Sequence, residues 1–115
     1  MKYQVVCLES LGYSLPAEVI DSAEIERRLA PLYERLRLPE GRLELITGVR
    51  QRRLWPVDAL PSQASIRSAE RAIQAAGIER HEIGAVVHGS VCRDYLEPAT
   101  ACRIHHELGL GANCL

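Results

Sequence analysis

Apolar residues fall into short runs divided by turn-forming residues. Val5, Val6 and Leu8 predict a first strand, ended by a turn region over residues 12–16, which contains Gly12 and Pro16. Asp21 or Ser22 is then placed to cap a helix with Glu24 and Glu26 in its first turn, where carboxylates oppose the helix dipole favourably. Ile25, Leu29, Leu32 and Leu36 recur on one face of that helix. Pro31 interrupts the stripe, because it lacks an N–H and its ring clashes with the preceding turn. A kink, or two short helices meeting there, is expected.

Pro39-Glu40-Gly41 reads as a turn, and residues 43–45 extend the preceding structure until Thr47-Gly48 breaks it. Residues 49–55 alternate enough to form a strand or an extended arm. After Pro56 and Pro61, Ser62 or Ser65 begins the clearest helix of the chain. Its narrow face is Ile66, Ala69, Ile73 and Ala76, and Gly77 ends it with Ile78 folding back. The small alanines imply close packing on a neighbour. Ile83, Val86 and Val87 predict a short strand, residues 90–100 a loop, and Ala101, Ile104, His105 and Leu108 a last helix stopped by Gly109.

This order predicts an α/β fold in which helices serve as crossovers between mostly parallel strands. A helix stopped by Gly109 should feed another strand, yet only a few residues follow it. A sheet lacking the strand its last crossover serves keeps an open apolar edge. Residues 1–115 are therefore expected to be an incomplete, truncated domain.

Composition narrows the picture further. The 115 residues fit one domain, and without Phe and with a single Trp its core must be aliphatic. Fourteen basic residues balance fifteen acidic ones, so nothing argues electrostatically for a nucleic-acid partner or an anionic membrane surface. No apolar run approaches the ~20 residues of a membrane span, and the N-terminal run meets Glu9 too early for a signal peptide. Cys7, Cys92, Cys102 and Cys114 are too sparse for a disulfide scaffold, which points to reduced thiols in the cytoplasm. With His88, His105 and His106 they match no compact metal-ligand spacing, so no metal is expected. His88 reads as a satisfied core histidine, and Cys114 as a packed or partly exposed thiol.

The loop over residues 90–100 carries the candidate chemistry. It joins a strand to a helix, where α/β proteins place working groups, and it holds Arg93, Asp94 and Glu97. Two roles suit Glu97: a carboxylate that complements the dipole of a helix beginning at Pro98, or a catalytic base. Arg50, Arg52 and Arg53 likewise suit either phosphate recognition or the solvated face of an edge strand.

Two motifs resemble a known family. Thr47-Gly48-Val49-Arg50-Gln51-Arg52-Arg53 is similar to the Thr-Gly-Ile-Arg-x-Arg signature of β-ketoacyl-acyl-carrier-protein synthase III, and residues 75–87 resemble that family's next helix and strand. Arg53-Leu54-Trp55, together with the string Arg93-Asp94-Tyr95-Leu96-Glu97-Pro98, more closely resembles the OleA-type thiolases of long-chain olefin biosynthesis. The resemblance implies the first part of a thiolase fold in a homodimer, and the Claisen condensation of two fatty acyl-coenzyme A thioesters to a β-keto acid. Synthase III of fatty acid biosynthesis and a non-catalytic packing module are the alternatives.

It further implies acyl-coenzyme A or acyl-carrier-protein substrates and no separate cofactor. The cysteine nucleophile and the histidine and asparagine of the oxyanion hole are expected outside residues 1–115, leaving this chain inactive by itself. Glu97 matches a glutamate that reaches across the dimer interface as general base. Thr47 and Arg50 are the substrate-binding candidates. The family's adenine-stacking tryptophan and the arginine before its threonine are replaced by Arg42 and Ile46.

Overall fold

The computed structural model describes residues 4–115; residues 1–3, the start of the stretch tested for a signal peptide, lie outside it. The chain divides into two compact units, Leu15–Val57 and Asp58–Leu115 with the N-terminal segment through Ser14.

The unit Leu15–Val57 is built on an antiparallel pair of strands, β1 (Glu18–Asp21) and β2 (Gln51–Leu54). Ile20 is the one buried residue of β1, and it faces Arg52 across the ladder. Two helices follow β1 directly: α1 (Ser22–Arg28) and α2 (Ala30–Leu36). They meet at Leu29, with Pro31 in the first turn of α2, where its missing N–H has no intrahelical partner to lose. This is the expected pair of short helices. The expected apolar stripe is not buried, however. Leu29, Leu32 and Leu36 stay exposed, and the buried residues of α1 are Ser22 and Glu26.

A third helix, α3 (Arg42–Thr47), lies between two left-handed glycines, Gly41 at φ 79° and Gly48 at φ 66°. Glu26 fixes its start. Its carboxylate accepts hydrogen bonds from the Leu43 amide at 2.6 Å, the Gly41 amide at 2.7 Å and the Tyr33 hydroxyl at 3.0 Å. The two amides lead in holding this carboxyl below its ordinary value, against the effect of burial.

The second unit is organised by α4 (Pro61–Ala76) and α5 (Thr100–Glu107). Pro61 occupies the first turn of α4, and Gly77, in the left-handed region at φ 66°, closes it as expected. Ser62, expected as a possible cap, is already inside the helix. Ile66 and Ala69 pack on the buried cluster Ile104, Leu108, Leu110 and Cys114, joined by Ile83 and Val86. The α5 helix ends in a Schellman motif: the Gly109 amide bonds His106 O at 2.9 Å and the Leu110 amide bonds His105 O at 3.1 Å. Segment 10–13 lies along α4, with Ser10 Oγ donating to Ala72 O and Arg71 to Tyr13 O. A Cβ on Gly12 would collide with backbone atoms of Ser68 and Ala72, so the close approach requires glycine.

Two strand expectations need correction. Residues 5–8 form no ladder, and Val5, Val6 and Leu8 are exposed, since no strand among the described residues pairs with them. Residues 83–87 are not an assigned strand either. They do show the beginning of one: the Leu115 amide bonds Gly84 O at 3.0 Å and the Val86 amide bonds Leu115 O at 2.8 Å. Those two bonds bracket Ala85 in the slanted pattern of a parallel pair. The expectation of mostly parallel strands thus survives only as this bridge, because the one ladder among the described residues is antiparallel.

Candidate active site

The loop with the candidate base runs without regular structure up to Ala99, the N-cap of α5. Glu97 therefore precedes the cap by two residues, and the helix does not begin at Pro98. The Glu97 carboxylate is exposed and makes no hydrogen bond or ion pair among the described residues.

Asp94 is its opposite. Its side chain is 1% accessible. One carboxylate oxygen accepts the Ser62 amide at 2.9 Å, and the other faces Arg103 Nη1 at 3.2 Å. Its own amide donates to Thr100 Oγ1 at 3.2 Å, and Thr100 is buried. Ser62 lies in the first turn of α4, whose N-cap is Leu60. A leucine side chain cannot accept a hydrogen bond, so Asp94 supplies the missing acceptor from 32 residues away. Gln63 completes the end by accepting the Leu60 amide at 3.2 Å.

Burial pushes the Asp94 carboxyl up, but Ser62 and the charge of Arg103 outweigh it and hold the group below its ordinary value of 3.8. Of the two Ser62 groups, the amide has the better claim, since the buried Ser62 hydroxyl finds no hydrogen bond of proper geometry. A depressed folded-state value contributes stability above the unfolded value and loses it as pH falls through the folded one. Resistance of this unit to urea is therefore expected to decline as pH falls below about 5, with Asp94→Asn flattening the decline. An unchanged slope in that variant would remove Asp94 from the acid response.

The substrate-binding candidates belong to the other unit. Thr47 Oγ1 donates to Leu43 O at 2.6 Å and accepts from the Val49 amide and Arg52 Nη2, both at 3.2 Å. Its proton and both lone pairs are in use. Arg52 also donates to the buried Ser22 hydroxyl at 2.6 Å, and Arg53 donates to Pro16 O at 2.8 Å. Two of the three arginines thus hold backbone turns together. Arg50 is exposed, and its guanidinium makes no hydrogen bond among the described residues. A cavity of about 450 Å³ in this unit is lined by Glu26, Tyr33, Arg37 and Leu38, and by none of the predicted site residues. Its Glu26 carboxylate is already taken by three donors, which leaves it a structural group.

The remaining candidates are quiet. Cys114 is packed in the core cluster, whereas Cys7, Cys92 and Cys102 are exposed free thiols. His88 Nε2 lies 3.2 Å from Ser65 Oγ, and His105 Nε2 lies 3.2 Å from Cys114 O. No group of His, Cys, Asp and Glu among the described residues could hold a metal ion. No helix among them is long and apolar enough to cross a membrane. The residues missed in the sequence are Asp94, Thr100 and Arg103 as a set. The signal lies only in where the helix starts: Leu60, the N-cap of α4, has no side-chain acceptor for the amides of the first turn.

No family model matches the chain. It is 49% identical over 110 residues to the acyl-CoA:acyl-CoA alkyltransferase of Shewanella oneidensis, covering 96% of this chain and 32% of that protein. The enzyme of the same name from Xanthomonas campestris is 36% identical over 115 residues, covering 100% of this chain and 34% of the relative. Among solved structures, a glutamate-to-aspartate variant of Xanthomonas campestris OleA superposes with a TM-score of 0.83 at 34% identity, over 93% of this chain and 31% of that one. The synthase III FabH of Xanthomonas oryzae gives 0.83 at 38% identity, over 93% and 32%. The chain spans about a third of the length of the relatives it matches. By sequence and by fold it is a relative of the OleA-type alkyltransferases and of synthase III, carrying the thiolase-like fold of the matching third.

Proposed function

We propose that this chain is the N-terminal portion of a cytoplasmic, homodimeric acyltransferase that condenses two fatty acyl-coenzyme A thioesters to a β-keto acid. The observation that carries the reading is Glu97: an exposed carboxylate without a structural partner, on a loop whose neighbouring acid is fully engaged. In this role Glu97 takes the proton from the carbon beside the second thioester carbonyl, reaching into the partner subunit's site. The resulting carbanion attacks an acyl group held on a cysteine supplied by the rest of the enzyme, and the thiolate leaves. The product is a β-ketoacyl-coenzyme A, whose thioester water then cleaves to the β-keto acid and coenzyme A. The names of the relatives, acyl-CoA:acyl-CoA alkyltransferase, support the choice of substrates.

Arg50 is the cation assigned to the coenzyme A thioester, since Arg52 and Arg53 are occupied. Thr47 contributes the shape of the turn before it, its hydroxyl being committed. No metal or separate cofactor enters this scheme. Exposed Val91, Tyr95 and Leu96 around Glu97 suit a surface that an acyl chain or a second subunit covers.

Incubating the complete enzyme with long-chain acyl-coenzyme A alone is the test. Release of coenzyme A with formation of a β-keto acid is expected. Product formed only when acyl-carrier protein supplies one substrate would transfer the reading to synthase III.

A further inference from the structure

Glu97 stands at the middle of a seven-residue segment whose two ends touch. Asp94 and Thr100 flank it at equal distance along the chain, and the Asp94 amide donates to Thr100 Oγ1 at 3.2 Å. That bond closes the neck of a small loop. The neck is in turn tied to both helices of the unit: Asp94 to the Ser62 amide of α4 at 2.9 Å, and to Arg103 of α5 at 3.2 Å. Thr100 and the Asp94 side chain are both buried. Within the loop, Tyr95, Leu96 and Glu97 are exposed, and their side chains make no hydrogen bond among the described residues. Among the described residues, the side-chain anchoring of this segment is therefore concentrated at its neck.

We propose that the Asp94–Thr100 neck, clamped to Ser62 and Arg103, is the positioning device that sets the reach of Glu97. Neither Asp94 nor Thr100 touches substrate in this scheme. The inference rests on the reading of Glu97 as the base. A base that must meet one carbon-bound proton is useful only over a small range of positions. An exposed five-residue span would not hold that range through its own contacts. A buried acid that caps α4 and pairs with α5 ties the loop to both helices of its unit, and Thr100 starts α5 itself.

The test separates two steps in the complete enzyme: transfer of the first acyl group to the cysteine, and condensation with the second. Thr100→Val keeps the shape of the side chain and removes the acceptor at the neck. Condensation is expected to fall about 10- to 100-fold, with acyl transfer held within about twofold. Thr100→Ser, which retains the hydroxyl, is expected to restore most of the loss. Asp94→Asn tests the same neck from its other side, and should act in the same direction. In a Glu97→Gln background neither change should lower condensation further.

Parallel loss of both steps would show a merely structural effect and overturn the proposal. So would normal condensation in Thr100→Val and Asp94→Asn while Glu97→Gln remains impaired. Normal condensation in Glu97→Gln itself would instead overturn the assignment of the base on which the proposal stands.

Discussion

Glu97→Gln in the complete enzyme is expected to slow condensation about 10²- to 10⁴-fold, the usual contribution of a positioned general base. First acyl transfer should proceed at its normal rate, because that step needs a thiolate and an oxyanion hole and no proton from carbon. Glutamine nearly matches glutamate in size and keeps an acceptor oxygen, but it does not take up a proton. Since the Glu97 side chain has no hydrogen bond among the described residues, the change breaks no contact seen in this unit. Stability should be unaltered, so that a kinetic defect reads directly as chemistry. The measurement is a pre-steady-state one: a burst of coenzyme A from acylation, followed by the rate of β-keto acid formation. A normal burst with slow product is the expected pattern. A variant that condenses at the wild-type rate would return Glu97 to the status of a surface acid.

What the chain discloses in advance follows the range of the interactions involved. The α4 helix was legible because its evidence is local: Ile66, Ala69, Ile73 and Ala76 at helical spacing, and Gly77 at the left-handed position. The break near Pro31 was legible for the same reason. Strand β1 was not. Its four residues, Glu-Val-Ile-Asp, bury only Ile20, and their pairing depends on β2 some thirty positions later. Residues 5–8 show the converse, a sound strand pattern left without a partner among the described residues.

At the site, Glu97 was singled out by its place between strand and helix and by a family string. Asp94 stood in the same string and was passed over, because its partners Ser62 and Arg103 lie on two different helices. The arginine run shows how composition misleads. Three neighbouring guanidinium groups suited either phosphate recognition or a solvated edge, and the geometry gives two of them to backbone carbonyls and hydroxyls.

Leu108→Ala should produce the largest loss of stability in the Asp58–Leu115 unit, about 2–5 kcal/mol. Leu108 is 1% exposed and belongs to the cluster of Ile104, Leu110 and Cys114, on which Ile66 and Ala69 of α4 pack. Its backbone also closes α5, with the amide bonding Ile104 O at 3.0 Å and the carbonyl accepting from Arg80. Truncation to alanine leaves those backbone bonds possible and removes three carbons from the centre of the cluster. The loss is then transfer free energy plus the cavity that α4, held at both ends, cannot collapse to fill.

Leu96→Ala provides the contrast, since Leu96 is exposed in the same unit and its removal should change stability by less than about 0.5 kcal/mol. Urea unfolding, with hydrogen exchange at the amides of α4 and α5, reads both. Because α4 and α5 also carry Ser62 and Arg103, the Leu108 change should loosen the loop neck with the core. Condensation and α5 protection would then decline together, whereas Glu97→Gln affects condensation alone. A Leu108→Ala protein as protected as the wild type would mean that α4 and α5 are held by something other than this cluster.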